Sequence, residues 1–300
     1  MGLSSNQNQE STTCQSEVLP LRSVALKHPR EAFASRQRIE RNWRSLGFTA
    51  APDFDRAVAE YDAFVALLED AGAVVHFLPD DGATSLDSLY PRDASILCDH
   101  GAILCRMGKP ARRAEPETHA RMLTRLNVPI LGAIQAPGQL EGGDVAWLDR
   151  RTLAVGRTYR SNDAGLAQLA DLVGGDVEIL RMEAPHWRGP GDVFHLMSVL
   201  SPVAERKLLV FSPLMSIPLR EQLLDRGFEL IEVPEEELAT LGCNVLAVAP
   251  DAVFVPVGNP RTRARLERAG VQTDEFECRE ICLKGSGGPT CLTRPLARSI

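Results

Sequence analysis

A period of about fifty residues governs what this chain can fold into. Each unit reads as short strand, turn, short strand, loop, helix and short strand. One unit predicts strands at 94–97 and 102–105 about a turn at Asp99-His100-Gly101, then a helix over 115–126. The next predicts strands at 145–148 and 152–155 about Asp149-Arg150, then a helix over 163–173. A third predicts strands at 197–200 and 207–211 with the turn through Pro202, then a helix over 218–225. A fourth predicts strands at 245–248 and 252–257 about Pro250-Asp251, then a helix over 260–269. The remaining unit is split between the chain ends. Its strand at 290–295 comes from one end, and 24–27, a helix over 54–70 and 74–78 come from the other.

Local punctuation agrees with these elements. Asn259 followed by Pro260 reads as an N-cap and a proline at the first helical position, where its missing N–H costs nothing. Gly270 suits the left-handed residue just past that helix. Ser161, Asn162 and Asp163 offer a similar helix start. Sheet-and-helix units arranged in a ring closed by the two chain ends leave no open edge, as in propellers. A doubly wound α/β sheet also alternates strands and helices. Against it, each helix here follows a hairpin rather than one strand, and no glycine-rich phosphate turn follows the first strand.

The repeat carries polar residues on a common register: Asp93, Asp144, His195, Asn244 and Cys291, separated by 51, 51, 49 and 47 residues. Each is expected to lead the first strand of its unit, so that units around an axis aim all five at one place. Polar groups heading apolar strands are costly to bury unless they pair. Asp and Asn are also ordinary turn residues at strand starts. A thiol and an imidazole falling in step with two acids is harder to assign to turns alone.

Cys98, Cys105 and Cys243 lie in or beside apolar runs and are expected to pack as thiols. Cys278 and Cys282 lack a second pair at zinc spacing, so no metal is expected there. Cys291 differs. It follows the loop Lys284-Gly285-Ser286-Gly287-Gly288-Pro289, which lacks P-loop spacing, and it precedes Arg294. Cations and free backbone N–H groups nearby would favour its thiolate.

The formal net charge of −7 argues against nucleic-acid or anionic-membrane partners, which need a basic face. Apolar residues at 44% and charged residues at 24% suit a chain that buries a real core. Seven cysteines in a chain of this size suggest free thiols and a cytoplasmic location. No leader with a basic start and apolar middle is visible, and the apolar stretch 65–78 is interrupted by Glu69, Asp70 and Gly72. The first fifteen residues are rich in Ser, Thr, Asn and Gln, so residues 1–17 are expected to be a disordered tail and 18–300 a single catalytic domain.

The segments Tyr90-Pro91-Arg92-Asp93, Leu140-Glu141-Gly142-Gly143-Asp144, His195-Leu196 and Gly287-Gly288-Pro289-Thr290-Cys291 resemble the guanidino-group-modifying superfamily. That superfamily includes arginine deiminases, amidinotransferases and dimethylarginine dimethylaminohydrolases. The resemblance runs from about Leu19 to Ala297. It implies a five-bladed α/β-propeller, the pentein fold, and a cofactor-free, metal-free covalent mechanism. Cys291 would attack the guanidinium carbon. His195 would protonate the departing amine and then activate water against an S-alkylthiouronium intermediate. Glu141 would hold His195 and help bind the guanidinium. Asp93 and Asp87 would bind the substrate. Arg112 and Arg160 match positions that contact its amino-acid end. Asp144 also stands near the substrate, in a supporting role.

Two positions depart from the relatives. Met197 stands where deiminases and amidinotransferases carry an aspartate, and Arg92 stands where many dimethylarginine hydrolases carry a glutamate. The compact length resembles dimethylarginine dimethylaminohydrolase more than arginine deiminase, which usually adds a helical insertion. The resemblance therefore implies hydrolysis of dimethylarginine or a related substituted arginine to citrulline and an amine. An amidinotransferase, an arginine deiminase-type hydrolase and a binding module without catalysis are the alternatives. The expected partner is a small guanidine, and a homodimer is compatible with it.

Overall fold

The computed structural model describes residues 11–79, 82–189, 191 and 194–300. Its first unit opens with β1 (Thr12–Thr13), β2 (Leu21–Leu26), α1 (Pro29–Ala32), α2 (Arg36–Leu46), α3 (Phe54–Asp70) and β3 (Val74–Phe77). Unit two has β4 (Ser95–Cys98), β5 (Gly101–Leu104), α4 (Glu115–Arg125) and β6 (Ile130–Ala133). Unit three has β7 (Val145–Asp149), β8 (Thr152–Arg157), α5 (Asp163–Val173) and β9 (Glu178–Glu183). Unit four has β10 (Leu200–Ala204), β11 (Lys207–Val210), α6 (Ile217–Asp225) and β12 (Glu229–Glu232). Unit five has β13 (Leu246–Ala249), β14 (Ala252–Pro256), α7 (Pro260–Arg268) and β15 (Gln272–Phe276). The last strand, β16 (Arg294–Ser299), returns to unit one.

The strands form five separate sheets. Units two to five share one plan: an antiparallel hairpin, then a third strand parallel to the hairpin's second, reached through the helix. A parallel return needs such a crossover. The first sheet has the order β1-β16-β2-β3, so strands from both ends of the chain complete it.

Hydrogen bonds join each unit to the next. Trp147 Nε1 donates to Leu97 O at 2.9 Å, and the Leu196 amide to Asp144 Oδ1 at 2.9 Å. Ser201 Oγ donates to Cys243 O at 2.7 Å, and Thr290 Oγ1 to Val245 O at 2.7 Å. Arg294 Nη1 donates to Ser95 O at 2.8 Å and ties unit one to unit two. Apolar side chains fill the space between neighbouring units; one continuous cluster runs from Leu196 and Leu209 to Val245, Val255 and Leu266. No helix among the described residues is long and apolar enough to cross a membrane.

Three expectations need correction. The strand read at 197–200 begins only at Leu200, because Leu196–Ser198 coil into a 3₁₀ turn headed by His195. Pro202 lies within β10 and not in a turn; β10 pairs on one side only, where a missing N–H is tolerated. The strand expected at 290–295 is Arg294–Ser299. Its earlier part is taken up by turns through Thr290 and Thr293, whose amide donates to Thr290 O at 3.2 Å.

The tail expected over 1–17 is ordered from residue 11; residues 1–10 lie outside the described residues. Thr12 and Thr13 pair with Ser299 and Arg298. Cys14 Sγ donates to Leu296 O at 2.9 Å. Glu17 is buried and forms an ion pair with Arg92, a guanidinium with no solvent exposure. A polar composition did not make this stretch disordered, because its polar groups satisfy buried partners.

Candidate active site

The five register residues sit in the turns just ahead of the first strands, not at the strands' first positions. Asp93 lies in the 3₁₀ turn Pro91–Ala94, Asp144 ends Gly142–Asp144, and His195 heads Leu196–Ser198. Asn244 and Cys291 lie a few residues before β13 and β16. A turn frees the side chain from the in-and-out alternation of a strand and leaves amides available as donors.

These turns interlock. The Gly143 amide donates to Asp93 Oδ1 at 2.9 Å, and the Arg92 amide donates to Cys291 O at 3.3 Å. Asn244 Nδ2 donates to Met197 O at 3.1 Å and lies 3.5 Å from Cys291 Sγ, while its Oδ1 accepts from the Thr290 amide at 3.2 Å. Gly143 is glycine for a steric reason: a Cβ there would come within 2.6 Å of Asp93 Oδ1 and 2.9 Å of the His195 ring. Gly287 likewise lies against the Tyr90 ring, which a Cβ would meet at 2.6 Å.

His195 Nε2 is 2.8 Å from Glu141 Oε2, and its Nδ1 is 3.9 Å from Asp93 Oδ1. Glu141 is fully buried. Its Oε1 accepts from the Gly108 amide at 2.9 Å and the Lys109 amide at 3.2 Å. Arg160 Nη1 lies 3.0 Å from both Glu141 oxygens. Asp93 accepts from Arg112 Nη1, whose guanidinium also donates to Glu115 at 2.9 and 2.8 Å and to Tyr90 O at 2.8 Å. Asp87 pairs with Lys109 Nζ at 2.7 Å.

Cys291, His195, Asp93, Asp87, Lys109, Arg112 and Arg160 all line one cavity of about 590 Å³. Seven of the eight residues singled out as site residues are thus brought into or directly against it, since Glu141 bonds the imidazole from behind. Asp144 is the exception: it does not line the cavity and stands behind His195, so of its two expected parts, substrate contact and support, only the second fits its place. It is fully buried, and both its oxygens are used: Oδ1 by the Leu196 amide, Oδ2 by Thr158 Oγ1 at 2.7 Å and Ser161 Oγ at 2.6 Å. Its contact with the backbone beside His195 sets where that ring sits. Arg112 and Arg160 line the cavity and also pair with the site's own acids, Arg112 with Asp93 and Glu115 and Arg160 through Nη1 with Glu141.

Burial opposes charge on His195, but Asp93, Asp144 and Glu141 outweigh it and raise the imidazole to about 9. The ring is therefore a cation at neutral pH. Burial likewise opposes ionisation of Glu141 and Asp93. For Glu141 the bond to His195 and the charges of His195 and Arg160 win, and for Asp93 those of His195 and Arg112 do, so both stay carboxylates. Burial, then the Asp93 charge, pushes the Cys291 thiol up to about 12. The Gly288 amide, Arg92 and Asn244 oppose this more weakly. The cations and amides expected to favour the thiolate do so, but burial outweighs them. Arg294, the nearest cation in sequence, spends Nη1 on the carbonyls of Ser95 and Arg92, and burial dominates.

Asp93, Glu141 and His195 bring one donor atom each to within 4.8 Å of one another, the one such cluster among the described residues. Its negative charge already faces Arg112 and Arg160, which a metal ion would have to displace. Cys98, Cys105 and Cys243 are buried packing thiols as expected, and Cys278 and Cys282 lie in the apolar core of units one and five.

Sequence reasoning missed Glu115, Lys109 and the part of Tyr90 in the cavity. Glu115 looks in sequence like an ordinary acid in a helix first turn. Only the fold shows it shut in with Arg112, where burial raises its carboxyl to about 7.

A family model described as N,N dimethylarginine dimethylhydrolase, eukaryotic, matches residues 32–298. The chain is 27% identical over 248 residues to an N(G),N(G)-dimethylarginine dimethylaminohydrolase of Pseudomonas aeruginosa, covering 81% of this chain and 89% of that one. It resembles the solved Pseudomonas aeruginosa enzyme complexed with citrulline, with TM-score 0.73 and 23% identity over 91% of this chain and 98% of that chain. It also resembles an amidinotransferase from Microseira wollei, with TM-score 0.78 and 17% identity over 96% and 97% of the two chains.

Proposed function

The chain belongs to the N,N dimethylarginine dimethylhydrolase family, and from that premise we propose that it hydrolyses a C–N bond of a substituted arginine, giving citrulline and an amine. It is a hydrolase of linear amidines. The observation that carries the reading is the single cavity that gathers a thiol, an imidazolium and buried carboxylates from distant turns. The five sheets, linked unit to unit and last to first, support a five-bladed α/β-propeller that takes in residues 11–17 with the expected 18–300 as one catalytic body. Seven unpaired cysteines suit a reducing, cytoplasmic setting.

The charges suggest an order of events. The substrate guanidinium settles against Asp93 and Asp87 through charge-assisted hydrogen bonds. Burial first and the Asp93 charge second hold the thiol up; the substrate's positive charge beside the sulfur opposes both, so the sulfur proton leaves to solvent and the thiolate forms beside its target. The thiolate adds to the guanidinium carbon. His195, already protonated, gives its proton to the departing nitrogen as the C–N bond breaks, leaving an S-alkylthiouronium. The neutral imidazole then takes a proton from water. The hydroxide adds to the carbon, the C–S bond breaks as the hydroxyl proton passes to solvent, and the neutral ureido product leaves with the thiolate restored. Glu141 orients the ring and stabilises its charge, and Arg160 holds Glu141 in place.

The test is incubation with dimethylarginine and monosubstituted arginines, assaying ureido product. Product is expected without an added amine. A rate that depends on glycine, lysine or ornithine would assign amidino transfer instead. No product from a folded sample would overturn the hydrolytic reading.

A further inference from the structure

A second cavity of about 470 Å³ opens beside the catalytic one, and Ser198 and Ser286 line both. Asn244, 3.5 Å from Cys291 Sγ, also lines the second. The two differ in chemistry. The catalytic cavity is walled by Asp87, Asp93, Lys109, Arg112 and Arg160. The neighbouring one has an apolar floor and a polar rim that includes exposed Arg188 and Glu235. Val199, Phe211 and Leu214 are buried, and Phe194, Leu238 and Leu241 are half-buried around them.

We propose that this second cavity receives the substituent on the guanidine nitrogen that departs, so that the preferred substrates are arginines whose leaving amine is bulky and apolar. The proposal rests on the hydrolytic reading above. Its first support is position. The departing nitrogen takes its proton from His195, and Ser198, whose Oγ accepts from the His195 amide at 3.3 Å, stands where the cavities meet. On this proposal a substituent on that nitrogen is directed to the junction lined by Ser198 and Ser286, and the charged amino-acid end lies in the charged cavity. Size is the second support. The space falls within the range of small-molecule sites, about 300–1,000 Å³, and two methyl groups fill little of it. The third is solvation, because water against the apolar floor of Val199, Phe211 and Leu214 is displaced with gain by an apolar group. When the C–N bond breaks, its electron pair stays with the nitrogen, which takes the His195 proton and leaves as a neutral amine through the apolar side.

The experiment compares kcat/KM for Nω-benzyl-, Nω-pentyl- and Nω,Nω-dimethylarginine by release of the common product citrulline. The larger apolar substituents are expected to exceed dimethylarginine by at least about tenfold. Ala239→Trp, filling the second cavity from its exposed rim, is expected to bring that ratio close to one. Turnover of dimethylarginine equal to or better than the others, or a ratio untouched by Ala239→Trp, overturns the inference and leaves the hydrolytic reading standing. Absence of citrulline from all three with folded protein overturns both.

Discussion

His195 carries the pH behaviour of the site. Its pKa is raised from 6.5 to about 9, so the imidazolium needed as general acid persists until the pH climbs through that value. The limb of the kcat/KM profile that reports His195 should therefore fall above about pH 9. Glu141→Gln removes the partner at 2.8 Å and a source of the raised pKa, so that limb should move to lower pH and the rate drop by about 10²-fold or more. An unmoved limb would detach Glu141 from the imidazole. The same shift is a stability statement. The pairing of the charged ring contributes fully below the unfolded pKa near 6.5 and is lost as pH rises toward 9, a trend that His195→Gln should flatten in urea titrations. Cys291 should resist iodoacetamide at pH 7 in the empty protein and react faster as the pH rises toward 12. Ready alkylation at neutral pH would show that burial does not control this thiol. Glu141, Asp87, Arg112 and Arg160 came with the family resemblance, while Asp93, His195 and Cys291 were legible in sequence because the repeat put them in step. Their charge states were not, because Arg294 and Arg92 turn to backbone carbonyls, to Glu17 and to Met197 Sδ at 3.0 Å. Arg92 and Met197, the two departures from the relatives, touch each other.

The helices read most clearly were those whose caps are local. Asp53 and Asn162 accept from amides three residues on, and α3 and α5 span the residues expected. Asn259 occupies the expected N-cap position of α7 but does not cap it. Its side chain bonds Thr240 and Pro256, and Glu237 instead accepts from the Arg261 and Thr262 amides at 2.8 and 2.7 Å. That exchange depends on a residue more than twenty positions earlier, so no local pattern contains it. Glu237→Ala should cost about 0.5–2 kcal/mol by denaturant titration, the range for a lost helix cap. The apolar run at 196–200 reads as strand because hydropathy alone cannot register the turn that His195 and Ser198 make with each other's backbone.

At the scale of the molecule, one buried carboxylate serves several buried cations. Glu17 pairs with Arg92 and is held ionised by Arg92, Arg294 and Arg298, with burial opposing. Removing one partner of a buried ion pair costs about 3–5 kcal/mol, so Glu17→Gln should lower the denaturation midpoint by that measure. A midpoint within experimental error of the parent would mean that solvent reaches these guanidiniums. The ring plan was legible from the fifty-residue period. The contribution of residues 11–17 was not, since its value depends on charges distant in sequence. The sheet shared by both ends has a further meaning for synthesis. Cys291 lies three residues before β16, so in synthesis the thiol comes after units two to five and just ahead of the strand that docks between β1 and β2. The nucleophile and the strand that completes the shared sheet thus arrive on one terminal segment.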